Sequence, residues 1–293
     1  MHATRTVTTS DNLSLAVWEH GEPDAPTVVL VHGYPDTHLV WDGVAEELAR
    51  DHHVVAYDVR GAGASDAPHR RAGYDLTHLV ADLVAVVEAT APSGPVHVVG
   101  HDWGSVQSWE AVTTGALGDR LASFCSISGP CLDHVGQWLR DRRRDRDWGP
   151  LLRQGLHSWY VGFFHLPGAA PFGWRRFAEK PFRRYLSRVE GLGPDAQPGP
   201  TLPSDGANGV ELYRRNVRSR LAEPQERTTD VPVLLVVPTR DRYITGALLD
   251  DVGRHCRDLR RIDVDAGHWL PAAQPDVLAA LIREHVRAST DAT

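Results

Sequence analysis

The chain has 293 residues, 42% of them hydrophobic and 24% charged, with a formal net charge of −7. That size suits about two ~150-residue units, or one large α/β unit with an insertion, and a core that needs no disulfide or metal. The acidic balance disfavours nucleic acid, and no apolar run approaches the ~20 residues of a membrane span. The polar N-terminus and three scattered cysteines (Cys125, Cys131, Cys256), none in a CxxC pair, predict a cytoplasmic setting without a zinc site.

In chain order, Val7–Thr9 and Leu13–Trp18 predict a hairpin. Thr27–Val31 is a continuous apolar run, as expected of a strand buried on both faces. Helical spacing follows over 40–49, then a strand over 53–57 and a helix over 76–89 with Leu79, Leu83, Val86 and Val87 facing inward. A third buried strand, Val96–Val99, precedes a helix over 106–112, and Leu121–Ile127 makes a fourth. The alternation stops near Gly129-Pro130 and resumes at the strand Val233–Val237. A helix over 247–255, a strand over 261–264 and a closing helix over 275–286 complete it. Such alternation predicts an α/β fold, a mostly parallel sheet with helices on both faces. Residues 1–130 and 228–293 would form the core, and residues 131–227 a largely helical lid over one end of the sheet. The alternating charges of Arg140–Asp147 predict a solvated helix surface with local ion pairs. Residues 190–210, rich in Gly, Pro and Asp, are expected to be mobile.

The strand Val96–Val99 runs into Gly100-His101-Asp102-Trp103-Gly104, with a helix after it. Small residues two before and two after a central residue are what a sharp strand-to-helix turn needs, and here the centre is Asp where serine hydrolases carry Ser. The helix N-terminus favours an anion there. A carboxylate of reference pKa ~3.9 is already ionised at neutral pH, so it attacks without a base. Water must then cleave the resulting ester, and that step needs one. His268, in the turn after the last strand, is the candidate base, and Asp241, after the strand Val233–Val237, is its orienting acid. Ser105 lies outside the nucleophile position, which disfavours a serine esterase.

The pieces His32-Gly33-Tyr34-Pro35, Asp58-Val59-Arg60-Gly61-Ala62-Gly63-Ala64-Ser65-Asp66, Gly100–Gly104, Thr239-Arg240-Asp241 and Gly267-His268-Trp269 lie in the order of one family. On them the chain resembles the α/β-hydrolase-fold epoxide hydrolases, the aspartate-nucleophile branch related to haloalkane dehalogenases. The resemblance implies an oxyanion hole from the backbone N–H groups of Tyr34 and Trp103, a cis peptide before Pro35, and a buried turn-shaping role for His32. It places the two lid tyrosines that protonate the epoxide oxygen at Tyr160, in Trp159-Tyr160-Val161-Gly162-Phe163-Phe164-His165-Leu166-Pro167-Gly168, and at Tyr213, in Leu212-Tyr213-Arg214-Arg215-Asn216. His32, Pro35, Trp159, Phe163 and Trp269 are the expected pocket residues.

The reaction so implied adds water to an epoxide to give a vicinal diol, through an ester on Asp102 hydrolysed by water that His268 and Asp241 activate. No cofactor or metal is expected, the partner is a small-molecule epoxide, and a homodimer is compatible with the reading. A haloalkane dehalogenase is the alternative enzyme, with Trp103 and the lid's Trp138, Trp148 or Trp174 as halide donors. Tyr34, where dehalogenases usually carry Asn, and Trp269 favour the epoxide branch. The other alternative is a non-catalytic ligand receptor on the same fold.

Overall fold

A computed structural model describes residues 3–291. Eight strands, β1 (Arg5–Thr8), β2 (Ser14–His20), β3 (Thr27–Val31), β4 (His53–Tyr57), β5 (Val96–His101), β6 (Leu121–Ile127), β7 (Val233–Pro238) and β8 (Leu259–Val264), form one sheet in the order β1-β2-β4-β3-β5-β6-β7-β8. β1 and β2 pair antiparallel, β2 joins β4 antiparallel, and the remaining pairs are parallel. Along each strand, alternate residues face opposite sides. Thus Val28 and Leu30 of β3 enter one core while Val29 and Val31 enter the other, and all four are fully buried. This is why the central strands read as unbroken apolar runs.

The helices in chain order are α1 (Asp42–Leu48), α2 (Leu76–Thr90), α3 (Trp103–Thr114), α4 (Leu132–Arg144), α5 (Trp148–His157), α6 (Trp159–Phe164), α7 (Ala169–Gly173), α8 (Glu179–Tyr185), α9 (Leu202–Ala222), α10 (Gly246–Leu249), α11 (Leu270–Ala273) and α12 (Pro275–Asp291). α2 and α3 pack on one face of the sheet through Leu79, Leu83, Val86 and Trp109. α1 and α12 pack on the other through Val44, Leu48, Leu278 and Ile282. The chain between β6 and β7 forms α4 to α9, with wide π turns at Trp174–Ala178 and Leu186–Glu190 on either side of α8. Among the described residues no helix is long and apolar enough to cross a membrane.

Two expectations are corrected here. The helix expected over 247–255 does not form: α10 is a single turn, and a 3-10 turn follows at Val252–Arg254. Gly253 and the pair Asp250-Asp251 are poor helix-interior residues, and Arg261 and Arg142 draw the two carboxylates outward at 2.9 and 3.4 Å. Residues 202–210, expected within a mobile stretch, are the first half of α9. Gly209 sits so close to the Tyr34 ring that any β-carbon there would overlap it, and the Gly63 amide donates to Asp205 at 3.1 Å. The Arg-rich stretch at the end of α4 does carry local ion pairs, Arg144 to Asp141 and Arg142 to Asp147.

Candidate active site

The site begins with a backbone conformation. Asp102 joins β5 to α3 at φ +51°, ψ −122°, a region that is strained for a residue with a β-carbon. Two ladder-type bonds hold it: the Asp102 amide donates to the Ile127 carbonyl, and its own carbonyl accepts from Val106, each at 3.0 Å. Gly104 is required beside it, because a β-carbon there would overlap the Val31 carbonyl of β3. The result is a carboxylate lifted off the C-terminal edge of the sheet at the positive end of α3.

Each carboxylate oxygen of Asp102 has a distinct neighbour. Oδ1 accepts from the Tyr34 amide at 2.7 Å, and the adjoining Trp103 amide favours the ionised carboxylate electrostatically. Oδ2 faces Nε2 of His268 at 3.7 Å. Tyr34 lies in the loop after β3, where the Tyr34–Pro35 peptide bond is cis. Burial is the largest influence on Asp102 and pushes its pKa up to about 6, against the opposing pull of His268 and the two amides.

His268 lies in the turn between β8 and α11. Its Nδ1 donates to Oδ2 of Asp241 at 2.9 Å, which fixes Nε2 as the atom facing Asp102. The His268 carbonyl accepts from Nε2 of His101 at 2.9 Å, so the turn is tied to the elbow strand as well. Burial alone would lower its pKa, but the carboxylates of Asp241 and Asp102 override that and hold it at about 9. Asp241, after β7, is buried too. Burial would raise its pKa, yet His268 and the amides of Tyr243 (2.7 Å) and Ile244 (3.0 Å) hold it below the ordinary carboxylate range.

Above these three groups lies a cavity in two arms, of about 570 and 720 Å³. Both arms share Asp102, Tyr160 and Tyr213 as lining residues, so they meet at the elbow. One runs between α4, α5 and α10 over Leu132, Leu139, Leu151 and Leu248. The other runs over Phe164, Trp174, Phe182 and Trp269. Tyr160 from α6 and Tyr213 from α9 stand with ring centroids 5.9 Å apart, edge to face. Tyr213 also packs edge to face on Trp103 at 4.9 Å and on Tyr34 at 5.3 Å. Burial beside Asp102 pushes both phenols above their usual range, so they remain protonated donors.

Of the residues expected in the pocket, Pro35, Trp159, Phe163 and Trp269 line the second arm. His32 does not. It borders a separate void of about 20 Å³ behind Tyr34, with Nδ1 donating to the Gly33 carbonyl and Nε2 accepting from the Val59 amide, both at 2.9 Å. Those bonds shape the Tyr34 loop and use both ring nitrogens. Trp138 is buried away from the cavity, whereas Trp148 and Trp174 line one arm each.

Several residues at the site carried no sequence signal. Tyr243 packs on His268 at 4.7 Å between centroids. Asp36 accepts from the Trp269 indole at 2.9 Å, and burial pushes its pKa up to about 7. Gln154 of α5 donates to the Tyr243 carbonyl at 2.8 Å and accepts from the Thr245 amide at 3.0 Å, which ties the inserted helices to the loop that carries Asp241. Asp36 directly follows Pro35 and Tyr243 lies two residues after Asp241, so nearness to the motifs is the signal that could have found those two.

A strand-edge carboxylate, a histidine from the last turn and an acid after the strand before it are set here on an eight-stranded α/β sheet, and a family model described as alpha/beta hydrolase fold matches residues 26–272. The chain belongs to that family. Its relatives include the Probable oxidoreductase EphD of Mycobacterium tuberculosis, 38% identical over 291 residues, which are 96% of this chain and 49% of that protein. The chain therefore spans about half the length of that relative. The Epoxide hydrolase A of Mycobacterium tuberculosis is 29% identical over 313 residues, covering 93% of this chain and 94% of the other. An epoxide hydrolase of Bacillus megaterium, solved in complex with an inhibitor, superposes with a TM-score of 0.80 over 97% of this chain and 100% of its own at 18% identity, a likeness of fold.

Proposed function

We propose that the chain is an epoxide hydrolase that works through a covalent ester on Asp102. The observation that carries this reading is the pairing of Asp102 below with two protonated phenols, Tyr160 and Tyr213, at the junction of the two arms. An epoxide needs both: an anion to attack carbon, and an acid for the oxygen that leaves. A relative named for epoxide hydrolysis that aligns over nearly its whole length supports it.

In the first step a carboxylate oxygen of Asp102 bonds to an epoxide carbon. The C–O bond of that same carbon breaks as Asp102 attacks from the back side, and the new alkoxide takes the proton of Tyr160 or Tyr213. In the second step Nε2 of His268 takes a proton from water, and hydroxide adds to the carboxyl carbon of Asp102. The tetrahedral oxyanion sits where the Tyr34 and Trp103 amides donate. Its collapse expels the alkoxide, which takes up the proton held by His268, and the hydroxyl proton left on Asp102 passes to the tyrosinate formed in the first step, so carboxylate and phenol are both restored. The electrostatics suit this order. Esterification removes the Asp102 charge, one of the anions that holds His268 protonated, so the imidazolium loses its proton more readily and the neutral ring is free to accept one from water once the ester exists. Asp241 stabilises the imidazolium in between.

Arms of comparable size on both sides of Asp102 suit an epoxide inside a chain, with an apolar substituent on each carbon. The test is single turnover in ¹⁸O water. The diol should leave unlabelled and the label should enter Asp102, because the incoming diol oxygen comes from that carboxylate. Chloride release from haloalkanes with no diol from any epoxide would favour the dehalogenase reading, and tight binding without turnover a receptor.

A further inference from the structure

The inserted segment and the rest of the chain carry opposite charge. Residues 131–227 hold 17 Arg and Lys against 11 Asp and Glu, whereas residues 1–130 and 228–293 hold 14 against 27. The excess is concentrated between residues 143 and 188, with ten cationic side chains against three acidic ones. Arg144 and Arg183 are tied to Asp141 and Glu179. Arg143, Arg146, Arg153, Arg175, Arg176 and Arg188 are exposed and form no ion pair among the described residues.

The same stretch exposes large apolar groups. Trp148, Leu152 and Leu156 recur every four residues and form one stripe along α5, with Leu152 and Leu156 68% and 75% exposed. Trp159 and Phe163 repeat that spacing on α6, and Trp159 is 70% exposed. Each of these five also lines an arm of the cavity, so they form the rim where the arms reach the surface. Further along, Phe172 and Phe177 stack edge to face with centroids 5.7 Å apart, both exposed. A run of this kind on an otherwise polar surface marks an interaction site.

We propose that this face of the inserted helices docks on an anionic lipid surface, without crossing it, and that the arms take substrate from the acyl layer. Apolar rings set among unpaired cations are the pattern of interfacial binding. The charge decides between occupants: two copies of this face would bring like charges together, whereas an anionic surface complements it and leaves the acidic core turned toward solvent. Delivery of substrate rests on the epoxide reading. Docking does not.

Flotation of the full chain with phosphatidylcholine vesicles, with and without phosphatidylglycerol, tests docking with no turnover involved, so the two readings fail separately. The chain should float with the phosphatidylglycerol vesicles, and added salt should release it. The Arg175→Glu/Arg176→Glu variant should bind about tenfold less or weaker, and Phe177→Ser should also lose binding. Both should keep the native melting temperature and the native turnover of a short, water-soluble epoxide. Absence of flotation, or equal flotation with phosphatidylcholine alone, overturns the proposal. So does a concentration-dependent dimer that Phe177→Ser dissociates.

Discussion

The two sides of the cavity are held by different forces. On the sheet side every reacting atom has directional partners. Asp102 takes the Tyr34 amide, Asp241 takes two amides and an imidazole N–H, and His268 is bonded through its ring and its carbonyl. On the opposite side Tyr160 and Tyr213 are placed by ring packing against Phe164, Trp103 and each other. Hydrogen bonds fix an atom to tenths of an ångström, whereas edge-to-face contacts tolerate sliding. Bond making at a single carboxylate needs the first kind of support. Delivering a proton to an oxygen whose place varies with the substrate needs only the second.

The sheet side should therefore break sharply. Asp102→Ala should lower turnover by on the order of 10⁴-fold or more, measured as diol formation. His268→Gln should leave alkylation running and stop hydrolysis, so the intact protein should gain the mass of one substrate. An unmodified mass after incubation with a verified substrate would falsify the two-step scheme. The opposite side should yield by degrees. Tyr160→Phe and Tyr213→Phe should each slow ring opening about 10²-fold, and the double variant far more, because either phenol can serve the oxygen. If the double variant opens epoxides at the native rate, the phenols are not the acid.

The pH profile separates the two sides further. Asp102 attacks only as the anion and its pKa is about 6, so kcat/KM should rise with pH through about 6. The phenols lie above their usual range, so no loss of the proton donor should appear below about pH 10. The smallest effect is expected where the two sides are tied. Gln154→Ala removes the bonds to the Tyr243 carbonyl and Thr245 amide and should cost about 1–2 kcal/mol in denaturant unfolding, with a drop in turnover as the Asp241 loop loosens.

The sequence was most readable where local rules set the structure. Apolar runs, unbroken through residues 28–31 and 233–237 and interrupted by the buried His97 in β5, revealed β3, β5 and β7, because a strand covered on both faces is mostly apolar. Small residues on either side of Asp102 marked the elbow, because β-carbons cannot fit there. Asp241 and His268 were findable as turn residues after strands. The region from 131 to 227 was harder. Its helices α5 to α8 are short, with π turns on either side of α8, and their placement comes from contacts between residues far apart in the chain, such as Tyr160 with Tyr213 or Gln154 with Thr245. Tyr243 escaped attention because its residue type resembles an ordinary turn tyrosine, and only its place two residues after Asp241 points to it. His32 was assigned to the pocket by its neighbours in the motif, yet it works from behind the loop. The failed helix over 247–255 shows the same limit, since its acidic pair is claimed by arginines on other elements.

Tyr34 links the two sides in one residue. Its amide donates to Asp102 at 2.7 Å, while its hydroxyl donates to the Gly206 carbonyl of α9 at 3.0 Å. An outward swing of α9 would part that hydroxyl from its carbonyl, and the pull would fall on the same short loop that holds Asp102. Under the proposed reaction, release of product by such a swing and readiness for the next attack would be geared to one another through this one residue.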